Sequence, residues 1–90
     1  MKFVKQTHQF KKDLKLVKKQ GKNLDELFNV VEQLVKNAGL DKKYKPHTLS
    51  GNWKGYLECH IRPDWLLIYN IEDDAVLLYR TGSHSDLFKK

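Results

Sequence analysis

The sequence predicts an α+β protein, with an N-terminal strand and a two-helix hairpin packed on one face of a mainly antiparallel sheet of four to five strands. Three observations lead there. Apolar residues recur at helical spacing twice in the first half: Phe10, Leu14 and Val17, then Leu24 through Ala38. The second half changes period, alternating over Tyr56–Arg62 and then running almost continuously apolar over Trp65–Ile71 and Ala75–Thr81. The polar turns Pro63-Asp64 and Glu72-Asp73-Asp74 separate these runs, and connections this short join antiparallel neighbours.

Met1–Lys5, with Phe3 and Val4, suits an edge or joining strand. The first helix spans Thr7–Gln20, and Gly21 ends it as a left-handed residue past the C-terminus would. Its lysines, Lys11, Lys12, Lys15, Lys18 and Lys19, share with Lys22 an arc of about 120° away from the apolar stripe. Asn23 is an N-cap candidate, with Glu26 at the capping-box spacing. The second helix carries apolar residues around a broad face and must be covered on more than one side; Gly39 closes it. Asp41–Pro46 is a loop, and a short extended piece near Leu49 leaves room for an extra strand. From Tyr56, Leu57, Cys59 and Ile61 point one way, and Tyr56, Glu58, His60 and Arg62 the other. On the last strand Val76, Leu78 and Arg80 share a face. Ser83–Phe88 is either a helical turn or an extended tail.

Ninety residues make one domain, 1–90, with 40% hydrophobic content and a small core. The formal charge of +6 suits a polyanionic partner. It is unevenly placed: residues 1–45 carry twelve lysines and a net of +7, residues 46–90 a net of −1. The lysine stripe is either a solvated face or a phosphate-facing rail, with Lys12, Lys15 and Lys19 at its centre. Cys59 is the lone cysteine, which excludes an internal disulfide and a cysteine zinc framework. It should face the core, away from chemistry. The first ten residues lack the apolar core of a signal peptide, and no run reaches the ~18 apolar residues of a membrane span. A cytoplasmic protein without a membrane partner is expected.

The second half holds three of the four histidines and both arginines. His47, Glu58, His60, Asp64, Arg80 and His84 should gather on the sheet face opposite the helices or at its rims. Cleaving RNA without a metal needs a base for the 2′-hydroxyl, an acid for the leaving 5′-oxygen and a cation for the phosphorane-like charge. Histidines suit the first two roles and arginine the third. Singly, each residue has a plainer reading: a solvated histidine, a Glu58–Arg62 pair, a structural Arg80 ion pair, a turn aspartate. Their conjunction carries the argument. No pair has the local spacing of a strong metal motif, so no cofactor is expected, and any ion at His47, His60 and His84 would be adventitious.

The pattern His47, Leu49, Gly51, Trp53, Gly55, then His60-Ile61, Pro63-Asp64-Trp65-Leu66-Leu67-Ile68-Tyr69, then Arg80-Thr81-Gly82-Ser83-His84 and Leu87-Phe88 resembles the YafQ-type branch of the RelE superfamily, messenger-RNA-cleaving toxins of bacterial toxin–antitoxin pairs. The resemblance covers about half the chain by motif and the rest by length and helical beginning. It implies a microbial RNase-like, RelE-like fold and cleavage of mRNA, typically in the ribosomal A site. It carries functional roles onto His47, His60, Asp64, Arg80 and His84, an acidic position onto Glu58, and aromatic contacts onto Phe88 and Trp65, although Trp65 also suits a core. Leu57 departs from the pattern, since relatives often carry arginine there, and this puts RNA affinity and codon preference in doubt. An acidic antitoxin that folds on binding is the implied partner, beside mRNA and the ribosome.

The expectation is therefore a metal-independent endoribonuclease toxin. His84 with either His47 or His60 moves protons, Arg80 meets the phosphate, and Asp64 and Glu58 orient histidines. Phe88, Trp65, Lys54, Lys12, Lys15 and Lys19 would contact RNA. The alternatives are a non-catalytic RNA- or ribosome-binding module on the same fold, in which the lysines matter and the histidines do not, and after it a metal-binding protein.

Overall fold

The computed structural model describes residues 2–36 and 40–88. Strand β1 (Phe3–Gln6) leads into α1 (His8–Lys19) and α2 (Leu24–Val35). Strands β2 (His47–Thr48), β3 (Leu57–Arg62), β4 (Trp65–Ile71) and β5 (Ala75–Gly82) follow, and α3 (His84–Leu87) ends the described chain. The five strands lie in the order β1-β5-β4-β3-β2. β2, β3, β4 and β5 pair antiparallel, and β1 joins β5 in parallel. The expected end of the second helix at Ala38 and Gly39, and the start of the first strand at Met1, lie outside the described residues.

Local chemistry sets the helix ends. Thr7 caps α1 by accepting from the Phe10 N–H, and Gly21 follows at φ 84°, where a side chain would be strained. Asn23 caps α2, accepting from the Asp25 N–H. The capping box does not close, because the Glu26 carboxylate instead takes Arg62 Nε at 2.6 Å. Between the helices and the sheet, Phe10, Val17, Leu27, Val30 and Leu34 meet Cys59, Ile61, Leu67, Tyr69, Val76 and Leu78. The alternation read for Leu57, Cys59 and Ile61 holds.

Helix α1 also finishes the sheet. β1 pairs with β5 only as far as Leu78, leaving the next residues of β5 with an open edge. The start of α1 takes that edge: the Thr7 N–H donates to the Leu78 carbonyl, the Thr7 hydroxyl to the Tyr79 carbonyl, and the Thr81 N–H donates to the Asp13 carboxylate. An acid buried on a lysine-rich helix thus stands in for a strand.

Three expectations need correction. The face opposite the helices is not bare: Leu66, Ile68 and Leu87 are buried there beneath Leu49, Trp53, Tyr56, Tyr79 and Phe88. Tyr56 and Tyr79 stack at 4.5 Å, and Trp53 meets Tyr56, Tyr79 and Phe88 edge-on. The register of β4 and β5 shifts between Ile68 and Tyr69, so Arg80 stands opposite Ile68 and out of line with Val76 and Leu78. A second shift between His60 and Arg62 turns Arg62 to Glu26 of α2, so Arg62 leaves the face expected for it beside Glu58 and His60, and the plainer Glu58–Arg62 pairing does not form.

Candidate active site

The histidines collect at the uncovered end of the second face. His47 on β2 lies opposite Glu58 on β3, as the antiparallel register requires. Its Nε2 is 3.2 Å from Glu58 Oε1, and its Nδ1 donates to the Lys45 carbonyl at 2.9 Å. His60 is two residues along β3 and therefore on the same face; its Nε2 is 3.5 Å from the same Glu58 oxygen. Glu58 is only 5% exposed, so one buried carboxylate anchors two imidazoles.

His84 reaches the group from the other side. Gly82 sits at φ 154°, and a Cβ there would come within 3.4 Å of Asp86 and Leu87; glycine lets β5 turn directly into α3. Ser83 caps that turn. Asp64, in the β3–β4 turn, then accepts twice at one oxygen, from the His84 backbone N–H at 2.9 Å and from His84 Nδ1 at 2.6 Å. The backbone bond, and after it the ring bond, hold the Asp64 carboxyl below the usual aspartate range. With Nδ1 committed, the Nε2 of His84 is left for other partners. The rings form a row, His47 to His60 at 6.0 Å and His60 to His84 at 5.7 Å.

Arg80 is pinned at the open edge of β5. Its Nε and Nη2 donate to the two oxygens of Asp13 at 3.0 and 2.9 Å, and this fork raises its already high pKa further. Arg80 remains part-exposed, with guanidinium hydrogens not used by Asp13. Sequence reasoning missed Asp13. Its signal was an acid about 40° from Val17 on the helical wheel, beside the apolar stripe and away from the lysines.

Trp65 leaves the list of RNA contacts. It is 2% exposed, and its Nε1 donates to the Thr81 hydroxyl, which donates in turn to the Leu66 carbonyl. Phe88 is half-buried against Trp53 and keeps part of its ring outside. Lys54 is exposed beside Trp53, and Lys12, Lys15 and Lys19 are exposed on α1. Burial pushes the Cys59 thiol up to about 12, so it is neither an accessible nor an ionised nucleophile. Among the described residues, the three side chains that could share a metal ion are His47, Glu58 and His60, whose donor atoms lie within 4.8 Å of one another, with Glu58 standing where the sequence suggested His84. Two imidazoles and a carboxylate suit a borderline cation such as Cu²⁺ or Zn²⁺.

Residues 2–89 match the family model described as the bacterial toxin of a type II toxin–antitoxin system, YafQ. The mRNA interferase toxin YafQ of Escherichia coli K12 is 42% identical over 81 residues, which cover 89% of this chain and 88% of the relative. The copper-bound L66S mutant toxin from Helicobacter pylori superposes with a TM-score of 0.92 at 39% identity, covering 98% of this chain and 100% of the other. The toxin chain of the E. coli DinJ–YafQ complex superposes with a TM-score of 0.89 at 38% identity, covering 98% and 99%.

Proposed function

The chain belongs to the YafQ family of bacterial type II toxins, and from that premise we propose that it is an endoribonuclease that cuts mRNA in the ribosomal A site by metal-independent acid–base catalysis. The observation that carries this is the His60–His84 pair, 5.7 Å apart, with His84 clamped through Nδ1 by Asp64. A phosphate lying across the exposed edges of both rings would be in reach of two imidazoles, one to accept a proton and one to donate it.

In the reaction, one histidine removes the proton of the 2′-hydroxyl. The 2′-oxygen attacks the adjacent phosphorus, the bond to the 5′-oxygen breaks, and the second histidine protonates that oxygen. The products are a 2′,3′-cyclic phosphate and a free 5′-hydroxyl. His84 is one member of the pair. The contacts favour His60 over His47 as the other, because both nitrogens of His47 already face acceptor oxygens. Asp64 fixes the tautomer and direction of His84, as a carboxylate behind a catalytic imidazole does. Glu58 holds His60 and His47 in place and balances positive charge on them. The guanidinium hydrogens of Arg80 that Asp13 leaves over meet the phosphate oxygens, and Phe88 offers its outer ring to a base.

A bound copper or zinc ion would be held by His47, Glu58 and His60. It would supply Lewis acidity there and at the same time occupy imidazole nitrogens that proton transfer needs. For partners, the DinJ complex of the E. coli relative supports an antitoxin for this chain, with acidic character to match the lysine-rich half.

The test is induction in bacterial cells, with growth and primer-extension mapping of transcripts. Wild type should arrest growth and cut within translated reading frames. His84→Ala should do neither while still binding ribosomes, and Arg80→Ala should do neither at a temperature where circular dichroism shows it folded, since it also unpairs the buried Asp13. Full toxicity in both variants would overturn the site, and ribosome binding with arrest but no cleavage would favour the non-catalytic binding module.

A further inference from the structure

We propose that the cleft between the Lys42–Tyr44 turn and the edge of β3 holds the nucleotide that neighbours the scissile phosphate on the His60 side, an assignment that rests on the ribonuclease reading above. The cleft measures about 500 Å³, within the range of sites that enclose small ligands. His60 is both part of its wall and the centre of the histidine row, so a strand crossing the row at His60 enters it.

The backbone explains why the cleft is open. β2 pairs with β3 only at Leu57 and Glu58. Continued backwards, β2 would cover the rest of β3, but Pro46 has no N–H to give a ladder, and Lys45 stands at φ 49°, a left-handed kink. The chain swings away through the 3₁₀ turn Lys42–Tyr44, leaving the edge of β3 at His60–Arg62 without a strand beside it among the described residues.

The lining chemistry suits a nucleotide. Lys43 and Lys45 form no ion pair among the described residues, whereas the one acid in the wall, Glu26, is engaged by Arg62 at 2.6 Å. The cleft is therefore net basic, with two ammonium groups that no carboxylate neutralises. Tyr44, half-buried against the core, contributes an aromatic ring; Lys43 Nζ lies over it, 5.1 Å from the ring centre, and a stacking base would take that place as the ammonium turns to its phosphate. Stacking on such a ring tolerates any base, so the cleft holds the strand without reading its sequence. The same loop carries the Lys45 carbonyl that accepts from His47 Nδ1, which sets the cleft directly beside the histidine row.

The test takes an RNA with a cleavage site mapped in translating extract and blocks it with a 2′-deoxy group at the scissile nucleotide. Binding to the full chain is followed by fluorescence anisotropy across a salt series. Lys43→Ala with Lys45→Gly, the glycine keeping the positive φ, should weaken binding about tenfold. It should also flatten the slope of log affinity against log salt by about 0.7, the value for one phosphate of a single strand. In translating extract the same variant should raise KM for mRNA and leave kcat unchanged. Lys5→Ala with Lys36→Ala removes the same charge from the far edge of the sheet and the far end of α2, and should leave the slope in place. A methylphosphonate at the flanking phosphate should remove the difference between wild type and the cleft variant. Equal losses from both lysine pairs, or unchanged RNA binding with loss of antitoxin binding, would overturn the subsite. Wild-type protein that binds but never cuts overturns the ribonuclease reading itself, and the subsite with it; cutting with unchanged binding by the variant overturns the subsite alone.

Discussion

Replacing Asp13 with asparagine should be among the most damaging single changes outside the apolar core. The carboxylate is the acceptor for Arg80 Nε, Arg80 Nη2 and the Thr81 N–H, with the Asp13 side chain 6% exposed and that of Arg80 23%. Removing one partner of a buried ion pair costs about 3–5 kcal/mol. Arg80 keeps some contact with water, which moves the cost toward ~3 kcal/mol even with the Thr81 N–H left poorly satisfied. For a chain this size each kcal/mol lowers Tm by roughly 4–8 °C, so Asp13→Asn should melt about 12–24 °C below wild type. Thermal unfolding followed by circular dichroism checks this, and a double-mutant cycle sharpens it. Asp13→Ala in an Arg80→Met background leaves no uncompensated guanidinium and should cost at least ~1.5 kcal/mol less than in wild type. Additive losses, or an Asp13→Asn Tm within about 3 °C of wild type, would refute the claim that this pair closes the edge of β5.

Four further outcomes follow from the same geometry. The Asp64 carboxyl should titrate below the ordinary aspartate range by NMR; because its pKa is depressed on folding, the attachment of α3 is complete above that range and lost as pH falls through the folded value. His84→Ala should keep part of the depression, since the backbone N–H bond is its larger cause; a return to the ordinary value would remove that explanation. Trp65→Phe should leave RNA affinity intact and cost about 1 kcal/mol for the lost bond to Thr81, whereas a fall in affinity at unchanged stability would return Trp65 to the RNA contacts. Cleavage should survive EDTA and be inhibited by added Cu²⁺ or Zn²⁺, with inhibition relieved in Glu58→Gln; loss of activity on chelation would defeat the metal-independent mechanism. Charge reversal at Lys12, Lys15 and Lys19 should flatten the salt dependence of ribosome binding, and no change would reduce the stripe to a solvated face.

What was legible in the chain was whatever depends on a repeating period. The stripe Phe10, Leu14, Val17 and the cap at Asn23 survive in any surroundings, so both helices lie within a residue or two of their expected positions over the described span. The alternation of Leu57, Cys59 and Ile61 against Glu58 and His60 was readable for the same reason. What was not legible depends on pairing between distant residues. The shifts that realign Arg80 and Arg62 are properties of two strands together and leave no mark in either alone. The aromatic cover of the second face was hidden because its residues come from three separate segments: Trp53 and Tyr56 before β3, Tyr79 on β5 and Phe88 after α3. Trp65 was ambiguous because an indole at the start of a strand suits a core or a base equally. Only its hydrogen bond to Thr81, sixteen residues away, separates the two.

The same long-range dependence says how the candidate site is held. His47 is tied to Glu58 on the neighbouring strand, His84 to Asp64 in the β3–β4 turn, and Arg80 to Asp13 on α1. Each polar group is thus fixed by an element other than its own. Hydrogen bonds of this kind hold a side chain only when both elements are docked, so the arrangement cannot assemble on a partly formed sheet. His84 and His47 are the exposed members, on the short elements α3 and β2, while Glu58 between the strands is buried. Local opening should therefore release the outer histidines first and leave Glu58 and His60 on β3 in place. The most rigid part of the row is then the His60–Glu58 pair, and His84, held by one exposed aspartate, is the part whose position a bound partner could most easily change.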